Sequence, residues 1–159
     1  MLKGELFDYV FSNFGGLNCQ SDLSCITREL HTLLKPGGYV TWVVMPPVSL
    51  WELAWGFKGN WKQAGRRLSQ NGATAHLEGE YFKTYYHSLP SIRQKFGTDF
   101  LLIQVESLGN FSPPPSHLDF ADRHPFLYSF LKMLERVTGR IFPFNRFGDH
   151  LIATFQRKS

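Results

Sequence analysis

Apolar residues in the first third of this chain form a short run, a helical repeat and a second run. Phe7 to Phe11 is short, aromatic and β-branched, which predicts a strand. A helix is predicted next, capped at Ser21 or Asp22 and stopped by Pro36-Gly37-Gly38. Its buried face is predicted from apolar residues at helical spacing, namely Leu23, Ile26, Leu30, Leu33 and Leu34.

Tyr39 to Met45 is nearly continuous in apolar residues and ends at Pro46-Pro47. That pattern is typical of a strand buried on both faces, as in a parallel sheet that helices cover. A strand, a helix and a strand joined by short connections make a βαβ unit, which almost always crosses over right-handed. The sequence therefore predicts an α/β fold.

The rest of the chain is predicted to continue with helices and strands. Leu50 to Leu68 is predicted as a helix rich in tryptophan and weakened at Gly56 and Gly59. Pro125 takes the favoured first position of another helix, whose apolar stripe comprises Leu127, Phe130, Leu131, Leu134 and Val137. The other predicted elements are a loop at Gln70 to Gly79, a strand at Tyr81 to His87, a helix at Pro90 to Phe96, and strands at Phe100 to Glu106 and Leu151 to Phe155.

Composition narrows the class of protein. With 43% hydrophobic and 19% charged residues, the 159-residue chain is globular in composition and fits one domain over residues 1–159. Its net charge is +4, but the densest basic group is interpreted as a solvated helix face, so no nucleic acid partner is expected. That group comprises Lys58, Lys62, Arg66 and Arg67. Cys19 and Cys25 fit no zinc or redox spacing and are predicted as buried thiols in a reducing cytoplasm.

Three segments resemble a known family. Residues 7–14 (FDYVFSNF) resemble the fourth strand of class I S-adenosylmethionine-dependent methyltransferases. Residues 33–40 (LLKPGGYV) resemble the turn into their fifth strand, and residues 148–152 (GDHLI) resemble the final strand of bacterial members. The resemblance covers essentially the whole chain, with its most specific motifs in the first third.

The resemblance implies a doubly wound, Rossmann-like sheet of seven strands, one of them antiparallel. Phe7 to Phe11 would be strand four, Tyr39 to Met45 strand five, and the last two predicted strands a closing antiparallel pair. Strands one to three, which in the family hold most of the cofactor, have no counterpart. Gly15-Gly16 follows a strand but lacks the spacing of a glycine-rich cofactor loop.

The resemblance also implies where S-adenosylmethionine and its acceptor would lie. The methionine side of the cofactor is expected at the end of strand four, at Ser12, Asn13, Phe14 and Gly15. The alternative is that the asparagine and the glycine only supply turn conformations. The acceptor pocket is expected at the end of strand five and in later segments, at Met45, Pro46, Trp51, Tyr85 and His87.

Several of these aromatic residues have other interpretations. The helix of Trp51 could pack in the core, cover an apolar acceptor pocket, or touch a membrane through Trp55 and Trp61. Tyr86 and its two neighbours, Tyr85 and His87, could include a general base or belong to a strand with aromatic cross-strand pairs.

Neither a catalytic residue nor a metal site is predicted. Methyl transfer depends mainly on the alignment of acceptor and methyl group, so no catalytic triad is expected. The residues of suitable ligand type match no metal motif in their spacing; they are His117, Asp119, Asp122, His124, Asp149 and His150.

The leading hypothesis is a fragment of a methyltransferase that moves a methyl group from S-adenosylmethionine to an unidentified small molecule. Without strands one to three, the chain alone is expected to bind cofactor weakly or not at all and to be inactive. One alternative is a non-catalytic module that pairs with a copy of itself, or with a missing N-terminal half, through the exposed edge of strand four. The other is a lipid- or quinone-modifying enzyme that contacts membranes through the Trp-rich helix, although membrane contact is not expected under the leading hypothesis.

Overall fold

The computed structural model describes residues 5–13, 15–57, 59, 61, 65–69, 71–113 and 119–159. Its strands are β1 (Phe7–Ser12), β2 (Leu34–Val44), β3 (Ala73–Leu77), β4 (Glu80–Thr84), β5 (Phe100–Leu108) and β6 (His150–Arg157). Its α-helices are α1 (Ser24–Leu33), α2 (Leu50–Phe57), α3 (Leu89–Phe96), α4 (Asp119–Arg123) and α5 (Pro125–Thr138). Short 3-10 turns lie at Gly16–Cys19, Arg66–Leu68 and Phe144–Arg146.

Four strands form one mixed sheet in the order β1-β2-β6-β5. β1 pairs parallel with β2, whereas β6 runs antiparallel to both of its neighbours, β2 and β5. β1, β2 and β5 therefore point the same way, and their carboxyl ends lie at one edge of the sheet. This confirms the predicted partial doubly wound sheet with its closing antiparallel pair.

The connection from β1 to β2 is the predicted βαβ unit. Asp22 accepts a hydrogen bond from the backbone N–H of Ser24, the first residue of α1, at 3.1 Å. The helix ends at Leu33, and Leu34 already pairs with Phe7 as the first residue of β2. Leu34 is therefore buried as predicted, but as part of the strand.

A bulge in β2 explains the glycine pair. Phe7 pairs with Leu34 and Tyr9 pairs with Tyr39, so four residues of β2 stand opposite a single residue of β1. Gly37 takes the left-handed conformation, at φ +78°, which glycine adopts without steric cost. A β-carbon at Gly38 would lie 3.2 Å from the Asp8 carbonyl oxygen, so a side chain there would crowd β1.

The hydrophobic core lies on one face of the sheet, under α1 and α3. Phe96 of α3 stacks on Phe155 of β6 at 4.0 Å and packs against Trp42 of β2 at 4.6 Å. Leu23 and Leu30 cover the same face from the α1 side, as predicted. Burial of several large side chains at about 1.5–3 kcal/mol each makes this layer the main source of stability.

The opposite face is less well covered toward β1. Tyr9 and Phe11 lie on that face, each 53% exposed, and their rings stack at 6.3 Å. Tyr39 on β2 and Leu101 on β5 are also exposed there. Sheets of this kind are normally covered on both faces, so this surface and the edge of β1 are where the described part of the fold is least complete.

Two predicted segments after β2 are wrong in extent. Helix α2 ends at Phe57, and Gly59 has φ +93°, which breaks helical geometry. The predicted loop at Gln70 to Gly79 contains strand β3, which pairs with β4 around a two-residue turn. Both turn residues, Glu78 at φ 51° and Gly79 at φ 91°, are left-handed, as a tight hairpin of this type requires.

Other predictions need smaller corrections. The strand predicted to reach His87 ends at Thr84, because the Tyr85 N–H donates to the Asn18 carbonyl instead of a strand partner. Cys19 and Cys25 are exposed and not buried. In the turn of Cys19 the buried positions are Leu17 and Asn18, and on α1 they are Thr27 and Leu30.

Candidate functional site

The carboxyl ends of β1 and β2 bring the first predicted site residues together. Ser12 ends β1, the exposed Asn13 follows it, and the chain then turns through Gly15. Gly15 has φ +78°, and a β-carbon there would lie 3.7 Å from the Met45 methyl carbon. The end of β1 therefore lies beside Met45, the residue that follows β2. Phe14, predicted with this group, lies outside the described residues.

Asn18 is a fully buried asparagine. Its hydrogen bonds connect the turn after β1 to the residues that follow β2 and β4. Its Nδ2 donates to the carbonyl oxygens of Met45 at 3.1 Å and Tyr85 at 2.5 Å. Its Oδ1 accepts from the Met45 N–H at 2.9 Å, and its own carbonyl accepts from the Tyr85 N–H at 2.7 Å. Sequence reasoning missed Asn18, because an asparagine after a glycine pair is usually a turn residue.

His87 joins the same group through its backbone and its ring. Its N–H donates to the Met45 carbonyl at 3.3 Å, and its Nε2 lies 3.0 Å from the Gln20 carbonyl. Because a carbonyl only accepts, Nε2 carries the hydrogen. Burial lowers the pKa of His87 below its ordinary value, although the Gln20 and Leu17 carbonyls oppose the shift. The buried imidazole is therefore predominantly neutral at pH 7.

A buried charge cluster lies on the other side of this edge, at Arg67. Arg67 Nε donates to Glu52 Oε1 of α2 at 2.9 Å, and its Nη2 donates to Asp149 Oδ1 at 2.7 Å. Arg66 donates to both oxygens of Glu52, at 3.0 and 2.7 Å. The Arg67 side chain is 3% exposed and that of Arg66 45%. The predicted solvated basic face is therefore wrong for Arg67. Lys58 and Lys62 lie outside the described residues.

Arg67 also donates to backbone carbonyls and so connects separate loops. Its Nη1 donates to the Pro46 carbonyl at 3.3 Å and to the Asp149 carbonyl at 3.2 Å. The loop after β2, helix α2 and the turn before β6 therefore share one guanidinium. Tyr86 lies against it, with the ring centroid 5.3 Å from the guanidinium carbon.

The pKa values of the two acids follow from these contacts. Burial alone would raise the pKa of Glu52, but hydrogen bonds from Arg66 and Arg67 outweigh burial and lower it. For Asp149, a hydrogen bond from His150 and another from Arg67 overcome burial and lower the pKa to about 2. Both carboxylates are therefore ionised at neutral pH and form ion pairs with arginine. For that reason they are poorly suited to proton transfer.

The predicted acceptor-pocket residues thus separate into three places. Met45 and Tyr85 bond to Asn18, and His87 bonds to Met45. Pro46 instead bonds to Arg67 through its carbonyl. Trp51 packs edge-on against Phe120 of α4, with ring centroids 6.4 Å apart. Its Nε1 is buried without a hydrogen-bond partner among the described residues. The segments that follow β2 and β5 therefore meet above the sheet edge.

The described residues contain no group of three or more His, Cys, Asp or Glu side chains that could hold a metal ion. His117 lies outside that part of the chain. Among the helices that the structure describes, none is long and apolar enough to span a bilayer.

The strand order and the single antiparallel strand define the class of fold: the chain is folded like strands four to seven of a class I S-adenosylmethionine-dependent methyltransferase. Similar solved structures include a candidate S-adenosylmethionine-dependent methyltransferase from Listeria monocytogenes, with a TM-score of 0.55 and 16% identity. Another is an S-adenosylmethionine-dependent methyltransferase from Mesorhizobium loti, with a TM-score of 0.49 and 14% identity. Each alignment covers 96% of this chain but only 62% of the other protein. No family model and no curated protein matches the sequence.

Proposed function

We propose that this chain supplies the acceptor-side portion of an S-adenosylmethionine-dependent methyltransferase that acts on a small molecule. The observation that carries the proposal is the order β1-β2-β6-β5 with β6 alone antiparallel. In open α/β sheets, ligands bind beyond the carboxyl ends of the strands, which is where the site residues gather. A cytoplasmic location belongs to the same proposal.

The end of β1 is the proposed contact with the methionine part of the cofactor. Ser12 and Asn13 offer polar groups there, and Gly15 presents backbone without a side chain, which permits close approach. Phe14 belongs to this proposed contact as well. When bound, S-adenosylmethionine supplies an electrophilic methyl group. The residues of this chain would hold and align the two reactants, which carries much of the rate in such a transfer.

The acceptor is proposed to lie on the Met45 side of the same edge. Met45 is half-buried beside Gly15. Asn18 holds Tyr85 next to Met45, and the His87 N–H donates directly to the Met45 carbonyl. Pro46 and Trp51 would form the wall toward α2. A neutral His87 could take a proton from an acceptor group, but its Nε2 is already bonded to Gln20, so positioning is its better-supported role.

Weak but localised cofactor binding is the expected result for the chain alone. The described residues offer only the methionine-side contacts, so S-adenosylhomocysteine is expected to bind with a Kd on the order of 1 mM, equivalent to about −4 kcal/mol. The measurement is a ¹⁵N–¹H NMR titration. Chemical-shift changes are expected for the backbone amides of Ser12, Asn13, Gly15 and Met45.

A matched pair of variants controls the titration. Asn13→Ala is expected to weaken binding several-fold, whereas Asn71→Ala, an exposed asparagine in the turn before β3, should leave it unchanged. Micromolar binding would contradict an incomplete cofactor site. If S-adenosylhomocysteine at about 10 mM, tenfold above the expected Kd, causes no localised chemical-shift change, the proposed function is contradicted.

A second candidate function is a pairing module, favoured by the exposed edge of β1. Tyr9 and Phe11 are exposed on this strand, and Asp8 is the one charged residue between Phe7 and Ser12. Unprotected edges of this kind pair with other strands. We propose that the edge pairs with a second copy of the chain or with a separate N-terminal half of the fold.

Light scattering over a concentration series tests pairing between copies. The wild-type chain is expected to shift from monomer to dimer, and Phe11→Lys is expected to weaken the dimer at least tenfold. Ile103→Lys is the matched control, since Ile103 is equally exposed but lies on β5, the opposite edge strand. A monomer at all concentrations, or equal effects of both variants, would exclude self-pairing through β1.

A further inference from the structure

Helix α5 presents an apolar stripe to solvent. The stripe comprises Phe126, Phe130, Met133 and Val137, all exposed, and Phe126 is 91% exposed. Their spacing of four, three and four residues places them on one side of the helix. Leu127, which belongs to the apolar stripe predicted from the sequence, is exposed as well. Large exposed apolar patches usually mark an interaction site.

The stripe is held in a fixed orientation. The Glu135 carboxylate accepts three backbone hydrogen bonds, from the N–H groups of Asn110, Phe111 and Ser112, at 2.9–3.0 Å. At the end of the helix, the Gly139 carbonyl accepts from the Ser107 N–H of β5 at 2.9 Å. α5 is therefore anchored at β5, on the side of the sheet opposite β1. A strand added at β1 would extend the sheet away from this helix.

Basic residues outnumber acidic ones along the chain from the start of α5. Between Pro125 and Arg146 the chain has four cations, Lys132, Arg136, Arg140 and Arg146, and the single acid Glu135. That acid is engaged by the three amides. Arg140 is paired with Glu106 of β5 at 2.8 Å, so the positive charge available to a partner comes from the other three cations. Arg146 lies 4.9 Å from the centroid of the exposed Phe142 ring, which extends the apolar surface beyond the helix.

This charge distribution discriminates between possible occupants. A second copy packed on the stripe would bring two sets of the same cations together, which costs free energy. An anionic surface would instead meet complementary charge. An amphipathic helix with Phe and Leu on one side and Lys and Arg beside them is the usual form of a helix that lies in a membrane interface.

We propose that α5 docks this protein on a bilayer that contains anionic phospholipid. The 14-residue helix, about 21 Å long, lies parallel to the bilayer plane. Phe126, Phe130 and Met133 enter the apolar boundary, while Lys132 and Arg136 meet the headgroup phosphates. This docking differs from contact through the Trp-rich helix and does not depend on the proposed methyltransferase function.

Sedimentation with sucrose-loaded vesicles tests the docking. The full chain is expected to pellet with vesicles of phosphatidylcholine and 30% phosphatidylglycerol, about ten times more strongly than with phosphatidylcholine alone. Raising the salt to about 1 M, where charges are screened beyond about 3 Å, should remove most of that preference. Phe126→Glu is expected to weaken binding at least tenfold, and Phe126→Glu combined with Phe130→Glu to abolish it.

Tyr81→Glu is the matched control, because Tyr81 is 74% exposed on the β3–β4 hairpin and the variant makes the same charge change. It should bind vesicles like the wild type. Equal loss in Tyr81→Glu and Phe126→Glu would overturn the proposal, as would failure of the wild type to bind anionic vesicles. Loss of binding in Trp61→Glu but not in Phe126→Glu would assign the contact to the Trp-rich segment. A wild-type dimer that Phe126→Glu dissociates, without vesicle binding, would assign the stripe to a second copy.

Discussion

Replacing Arg67 with methionine is expected to lower the free energy of unfolding by about 4 kcal/mol. The guanidinium is almost fully buried and bonds to Glu52, to Asp149 and to the Pro46 carbonyl. Methionine fills a similar volume but cannot donate a hydrogen bond. Glu52 would therefore keep only Arg66 as a cationic partner, and the Pro46 carbonyl would lose the Arg67 donor. Breaking a buried ionic network by removing one partner is among the most destabilising single changes.

Arg66→Met is the matched control for this variant. Arg66 is the adjacent arginine and bonds to the same carboxylate, but it is 45% exposed, so its loss is expected to cost about 1 kcal/mol or less. Urea denaturation of both variants measures the difference from the midpoints at constant slope. Equal losses would mean that Arg67 is not the buried centre of this network.

The sheet could be predicted from the sequence because its strands are strongly marked. Phe7 to Phe11 is a short, mostly apolar run and Tyr39 to Met45 is a nearly continuous one, and turn residues follow both. β1 extends one residue beyond its predicted end, to Ser12, whereas β2 begins at Leu34, five residues before its predicted start. The second run is buried on both faces from Val40 to Val44, which leaves few alternatives to a strand. The β3–β4 hairpin was missed since Ala73–Leu77 has little β-branched or aromatic content. The left-handed pair Glu78-Gly79 is the signal that could have located its turn.

The candidate site could be predicted only in part, because burial of polar groups depends on tertiary contacts. The strand ends directed attention to Gly15 and Met45, which lie beside each other in the structure. Nothing local distinguishes Arg67 from Arg66, although one is buried and the other half-exposed. Likewise, the spacing of Phe130 and Val137 shows that they share a side of α5, but it does not show what covers that side.

Replacing Asn18 with alanine is expected to lower the free energy of unfolding by about 3 kcal/mol. The variant leaves the N–H and carbonyl of Met45 and the carbonyl of Tyr85 without their side-chain partner. Each buried polar group left unsatisfied costs about 1–3 kcal/mol. Asn71→Ala, at an exposed turn position, should stay within about 0.5 kcal/mol of the wild type.

Hydrogen exchange separates a local effect of Asn18→Ala from general destabilisation. The Met45 N–H donates to Asn18 Oδ1, so its exchange should accelerate more than that of core amides such as Trp42, which pairs within the sheet. Asn18 also fixes Tyr85 and Met45 beside the end of β1. The same variant should therefore make the chemical-shift changes caused by S-adenosylhomocysteine smaller and less localised. Uniform acceleration across the sheet, with those shifts intact, would show that Asn18 stabilises the fold without organising the site.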